Sequence, residues 1–146
     1  EVNHPEILHL SSLVAEGERD SWRLAQIINR WVYDNMEKSL VDTVTAVDAL
    51  NKRRGECQSH TYLFTALARA AGIPTKIVNG LVYSEEYNGF LYHAWPEVFV
   101  GHWRALDPTI GQDYVDATRI KLTQNEHEDP FKIMEFVGRV SIEIVE

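Results

Sequence analysis

Between Ser21 and Met36 the apolar residues Leu24, Ile27, Ile28, Trp31 and Val32 recur at steps of three and four, which predicts an amphipathic helix capped at Asp20 or Ser21. A second helical run starts at Cys57, with Thr61, Phe64 and Ala68 on one side and Leu63, Leu67 and Ala70 in an adjoining stripe. Apolar positions that broad predict a helix deep in the core, stopped where Gly72 is followed by Ile73 and Pro74. Thr45-Ala46-Val47-Asp48 has the form of a capping box for a short helix through Ala49 and Leu50, and Asn51 to Gly55 reads as a polar connection delivering Cys57. At the start of the chain, Pro5 to Leu10 could open a further short helix, and Glu16-Gly17-Glu18 breaks it.

Past Pro74 the period changes to two. Thr75–Tyr83, Phe90–Val100 and Trp103–Asp107 read as strands, the last stopped by Pro108, and their short connections predict an antiparallel sheet. Thr118–Leu122 is a further short alternating strand. Asp129-Pro130 opens a brief helix ending at Gly138, and Val140, Ile142 and Ile144 alternate in a closing strand. The expected fold class is α+β, a central helix carrying Cys57 packed on an antiparallel sheet.

At 146 residues, with no repeat or linker, the chain is expected to form a single domain over residues 1–146. Because Glu1 stands first, we expect that domain to come from a longer protein, which leaves cytoplasmic and exported locations equally open. The formal charge of −8 comes without a basic stripe, which argues against nucleic acid or an anionic membrane surface as partner. No apolar run reaches the roughly 18 residues of a membrane span.

The single cysteine allows no intramolecular disulfide, and its position draws attention to chemistry. At the first turn of a helix, unpaired backbone N–H groups and the helix dipole favour a thiolate and can donate to an oxyanion formed beside it. A lone cysteine is more often a small core residue, but Cys57 sits at a helix start rather than inside an apolar run. A thiolate nucleophile needs a base that can also protonate the leaving group, and imidazole does both near neutral pH. His93, in Tyr92-His93-Ala94-Trp95, lies inside a strand, where a solvated histidine is less expected than at a loop tip.

Asp107, in Leu106-Asp107-Pro108-Thr109, could orient that imidazole or could simply terminate its strand. Facing separates the two. A two-residue hairpin at Gly101-His102 would pair Val100 with Trp103 and put His93 and Asp107 on opposite faces of the sheet. A three-residue turn at Val100-Gly101-His102, or a bulge near Pro96, restores the parity. Phe99 then opposes Trp103, and His93 becomes the diagonal neighbour of Asp107.

Gly55-Glu56-Cys57, Leu63-Phe64, Ala71-Gly72-Ile73-Pro74, His93-Ala94-Trp95 with Glu97, and Trp103 with Leu106-Asp107-Pro108-Thr109 follow one another in an order that resembles the transglutaminase-like superfamily, over roughly Trp31 to Leu122. The resemblance implies a papain-like cysteine-protease fold. It also implies Cys57 as nucleophile, His93 as base and then acid, and Asp107 as orienter, with no cofactor. Members similar to this chain are often bacterial cysteine proteases or transglutaminases. Trp95 would wall the cleft, Glu97 would support the sheet or the residues behind the site, and Pro96 departs from the aliphatic residue expected at its position.

The side-chain oxyanion donor stays open among Asn51, Trp31, Tyr33 and Asn35, and Gln58 or His60 could also line the site. Cys57, His60 and His93 lack the fourth ligand and second close pair of a zinc site, so no metal is expected. The expected activity is thiol-dependent acyl transfer on peptide or glutamine-type amide bonds of a peptide or protein substrate, with hydrolysis favoured over amine crosslinking. The alternative is a catalytically silent interaction or scaffold domain of the same fold.

Overall fold

The computed structural model of the protein describes residues 1–40, 45–124 and 142. Helix α1 (Pro5–Ala15) leads to α2 (Ser21–Asn35), strand β1 (Glu37–Lys38), α3 (Ala46–Lys52), strand β2 (Arg54–Gly55) and α4 (Cys57–Ala70). Four strands follow: β3 (Thr75–Ser84), β4 (Gly89–Phe99), β5 (Trp103–Ala105) and β6 (Arg119–Thr123). The helix expected at 130–138 and the closing strand at 140–144 lie outside the described residues, Ile142 excepted.

The caps follow from local chemistry. Asp20 accepts from the Arg23 backbone N–H (2.8 Å) and Thr45 Oγ1 accepts from the Asp48 N–H (3.0 Å), each satisfying an orphan donor of its helix. At its far end α4 closes with Gly72 N–H to Arg69 O (3.0 Å) and Ile73 N–H to Ala68 O (2.9 Å), a glycine-closed C-terminus.

The four-stranded sheet runs β5-β4-β3-β6, antiparallel at every pairing. Alternation along β4 sends Val98 into the core made by Ile7, Ile28, Val32, Leu63, Phe64 and Leu67 of the helices, and turns His93, Trp95 and Glu97 the other way. Helix α4 is the centre of this arrangement, with Thr61, Leu63, Phe64, Leu67 and Ala68 fully buried. Ser11 of α1 ties onto it through a 2.9 Å bond from its hydroxyl to Leu67 O.

Two expectations need correction. The stretch before Cys57 is more than a polar connection: Arg54 and Gly55 pair in parallel with Glu37 and Lys38, and Ser39 N–H donates to Gly55 O (3.1 Å). Two residues are too short for a period to register, so this clamp leaves no pattern in the sequence. The third strand ends at Ala105 rather than Asp107, because Asp107 exchanges both backbone hydrogen bonds with Gln112 across a tight loop.

Candidate active site

Three elements converge on one place. Strand β2 delivers the chain into α4 so that Cys57 is its first residue, and the N–H groups of Cys57, Gln58 and Ser59 precede the first intrahelical bond, from His60 N–H to Glu56 O. Strand β4 brings His93, and the segment after β5 brings Asp107. The turn between the strands is the three-residue form: Val100 N–H donates to His102 O (3.0 Å), Gly101 takes φ +90, and Phe99 stands opposite Trp103. Pro96 causes no bulge. It keeps register with Ile77 while its carbonyl accepts from Leu106 N–H (3.2 Å), an edge of the strand where no proline N–H is needed.

The parity this turn provides puts His93 Nε2 2.6 Å from Asp107 Oδ2. Cys57 lies near enough to the same imidazole to act on its protonation. His93 is 8% exposed, and burial alone would push its pKa down. The bond to Asp107 and its negative charge, with Cys57 acting in the same direction, outweigh burial and raise it to about 9. Asp107 is fully buried, which by itself would raise its pKa; its bonds to His93 and Arg119, and their positive charge, hold it below the usual carboxylate range.

The carboxylate is fixed on both oxygens. Oδ1 accepts from Thr109 N–H (3.0 Å), and Oδ2 accepts from Arg119 Nη2 (2.6 Å) as well as from His93. Asn29, buried on α2, donates to Gln112 O (3.1 Å) and Asp113 Oδ1 (2.9 Å), pinning the loop that Asp107 closes. Neither Arg119 nor Asn29 is legible as a site residue. Ile120 and Leu122 suggest the inward face of β6, yet the Arg119 side chain is only 2% exposed.

Other candidates from the sequence fall differently. Trp95 does not wall an open cleft: it is 2% exposed, lies nearly parallel to the His93 ring (24°, centroids 6.1 Å apart) and backs that ring from within. Gly80 makes the space for it, since a Cβ there would come 2.8 Å from the Trp95 ring and 2.1 Å from Ile120 O. His60 turns inward at 1% exposure, with Nδ1 2.8 Å from Glu56 O; burial lowers its pKa, and it does not join Cys57 and His93. Gln58, beside the cysteine, donates to Tyr92 Oη (2.8 Å), which in turn donates to Asn79 Oδ1 (2.8 Å).

Burial raises the Tyr92 pKa to about 12, so the phenol keeps its proton. Asn35 donates back to Trp31 O (2.8 Å) within its own helix. Glu97 pairs with Lys76 (3.1 Å) and Lys121 across three strands, supporting the sheet as expected. Among the described residues no three His, Cys, Asp or Glu side chains are grouped to hold a metal ion, and no helix is long and apolar enough to cross a membrane.

A helix-borne thiol, a strand-borne imidazole and a carboxylate after the next strand define an α+β domain of the transglutaminase-core type. Residues 9–108 match the transglutaminase-like superfamily, and the chain belongs to that family. It is 29% identical over 97 residues to an uncharacterized protein of Mycobacterium leprae (strain TN), covering 53% of this chain and 34% of that one. It is 32% identical over 85 residues to the kyphoscoliosis peptidase of Mus musculus, covering 52% of this chain and 13% of the peptidase. The chain thus spans about a third of the first relative and a smaller part of the second.

Among solved structures, a candidate cysteine protease from Cytophaga hutchinsonii superposes with a TM-score of 0.71 at 23% identity, over 82% of this chain and 42% of that one. A candidate protease from Parabacteroides distasonis superposes with a TM-score of 0.57 at 13% identity, over 70% of this chain and 23% of that one. At these identities the two structures speak for the fold.

Proposed function

We propose that the domain is a thiol-dependent acyl-transfer enzyme acting on peptide or glutamine-type amide bonds, with Cys57 as nucleophile, His93 as base and acid, and Asp107 as orienter, and that hydrolysis is its main outcome. The observation that carries this reading is the position of His93, held by Asp107 at 2.6 Å and lying near Cys57 at the start of α4.

An imidazole held protonated at neutral pH beside a sulfur favours the thiolate. The thiolate attacks the amide carbon, the C=O electrons move onto oxygen, and the N–H groups of the first turn of α4 are placed to receive that oxyanion. His93 then gives its proton to the departing nitrogen as the C–N bond breaks, leaving a thioester on Cys57 and a free amine. In the second half His93 takes a proton from water as the water oxygen attacks the thioester, and the acid leaves with the thiolate restored. An amine in place of water gives a crosslink by the same steps.

A peptide as substrate fits the names borne by the mouse peptidase and the Cytophaga protein. Incubation with a peptide library, with and without a primary amine, tests the proposal by mass spectrometry. Cleaved or deamidated peptides that Cys57→Ala does not produce support hydrolysis. Amine-bearing adducts in their place would make the domain a transferase, and no Cys57-dependent product in either arm would leave the scaffold reading.

A further inference from the structure

Arg119 reaches the site from β6, which pairs with β3 on the side of the sheet away from β4. Its Nη2 donates to Asp107 Oδ2 (2.6 Å) and to Gln112 Oε1 (2.8 Å), and its Nη1 pairs with Asp116 Oδ1 (3.2 Å). Asp107 Oδ2 therefore serves two cationic donors at the same distance, His93 Nε2 and Arg119 Nη2, while Oδ1 is occupied by Thr109 N–H.

We propose that Arg119 is a positioning residue of the acyl-transfer site: by taking a share of Asp107 Oδ2 it limits how tightly the carboxylate holds the His93 imidazolium, and so keeps that proton transferable to the leaving amine. The inference rests on the function proposed above. A carboxylate given wholly to an imidazolium deepens the well in which the proton sits, and a permanent cation on the same oxygen draws that charge away. Guanidinium suits the task because it stays charged at every working pH and its fork reaches Asp107 and Gln112 through Nη2 and Asp116 through Nη1. The charged and titratable groups around the His93 ring are Cys57 from α4, Asp107 from the segment after β5, and Arg119 from β6 acting through Asp107. Asp116 balances Arg119 at the exposed end.

Purely structural anchoring predicts different behaviour from shared charge, and the titration of His93 separates them. We expect the His93 ring resonance, assigned by its loss in His93→Gln, to titrate about one unit higher in Arg119→Gln than in the unaltered domain. Turnover at pH 7 should fall about tenfold. Arg119→Lys, which keeps the cation, should restore most of both. A midpoint in Arg119→Gln that stays in place or moves down overturns the proposal.

Should Arg119→Gln fail to fold, Asp116→Asn at the exposed end gives the answer. Removing that counter-charge strengthens the cation at Asp107 and should lower the His93 midpoint, and an unmoved midpoint overturns the proposal equally. The resonance reports on Arg119 even if peptide turnover is never observed, so failure of the acyl-transfer reading and failure of this inference remain distinguishable.

Discussion

Thr61, one helical turn beyond Cys57, donates its hydroxyl to the backbone oxygen of Ala94, the residue that follows His93, across 3.1 Å. This bond locks the helix that carries the thiol to the strand that carries the imidazole. The spacing of sulfur and ring is therefore a property of the packed core rather than of a loop. Both partners are fully buried, so neither can turn to water for a substitute.

Thr61→Val keeps the volume and removes the donor. Leaving the Ala94 carbonyl unpaired should cost about 1–3 kcal/mol in chemical denaturation. Alkylation of native Cys57 at pH 7 should slow several-fold, as α4 is freed from β4. An unchanged alkylation rate would show that other contacts fix the spacing.

Asp107 supports two distinguishable losses. Asp107→Asn preserves shape but removes the charge facing His93, and turnover should fall by about a hundredfold or more with modest loss of stability. Asp107→Ala also leaves the buried Arg119 guanidinium without its principal partner, which should cost about 3–5 kcal/mol. Equal stability of the two variants would contradict the hydrogen bonds that the side-chain oxygens of Asp107 accept from Arg119 and Thr109.

The pH dependence of stability follows from the directions of the shifts. His93 is raised from its ordinary value of 6.5 to about 9, so its contribution is complete below pH 6.5 and is lost as pH rises through about 9. Asp107 is lowered from 3.8, so its contribution is present above that value and is lost as pH falls through the lowered one. The melting temperature of the unaltered domain should exceed that of His93→Gln by a larger margin at pH 6 than at pH 9.5. A margin that does not change with pH would contradict the charged pairing.

Where the sequence speaks most clearly, it does so through period and turn chemistry. The stripes along α4 follow from Thr61, Leu63, Phe64 and Leu67, and facing called for either a three-residue turn at Gly101 or a bulge near Pro96, of which the turn is present and sets Phe99 opposite Trp103. His93 and Asp107 come together in the structure because of that parity. Arg119 was hidden because a buried arginine in an alternating strand looks like the solvated face, and its partner lies 12 residues back in a loop.

Trp95 was misplaced for a related reason. Alternation gives the face of the strand, but not that Gly80 hollows out the neighbouring strand to take the ring inside. The two-residue pairing of β1 with β2, which aims the chain at Cys57, is too short to announce itself.

The central claim is that His93 activates Cys57, and the rate of Cys57 alkylation by iodoacetamide across pH 4–10, in the unaltered domain and in His93→Ala, tests it most directly. The account predicts fast alkylation of the unaltered domain already at neutral pH, about tenfold or more above His93→Ala, with the two curves meeting only at alkaline pH. Superimposable curves, both rising as an ordinary thiol does, would contradict it.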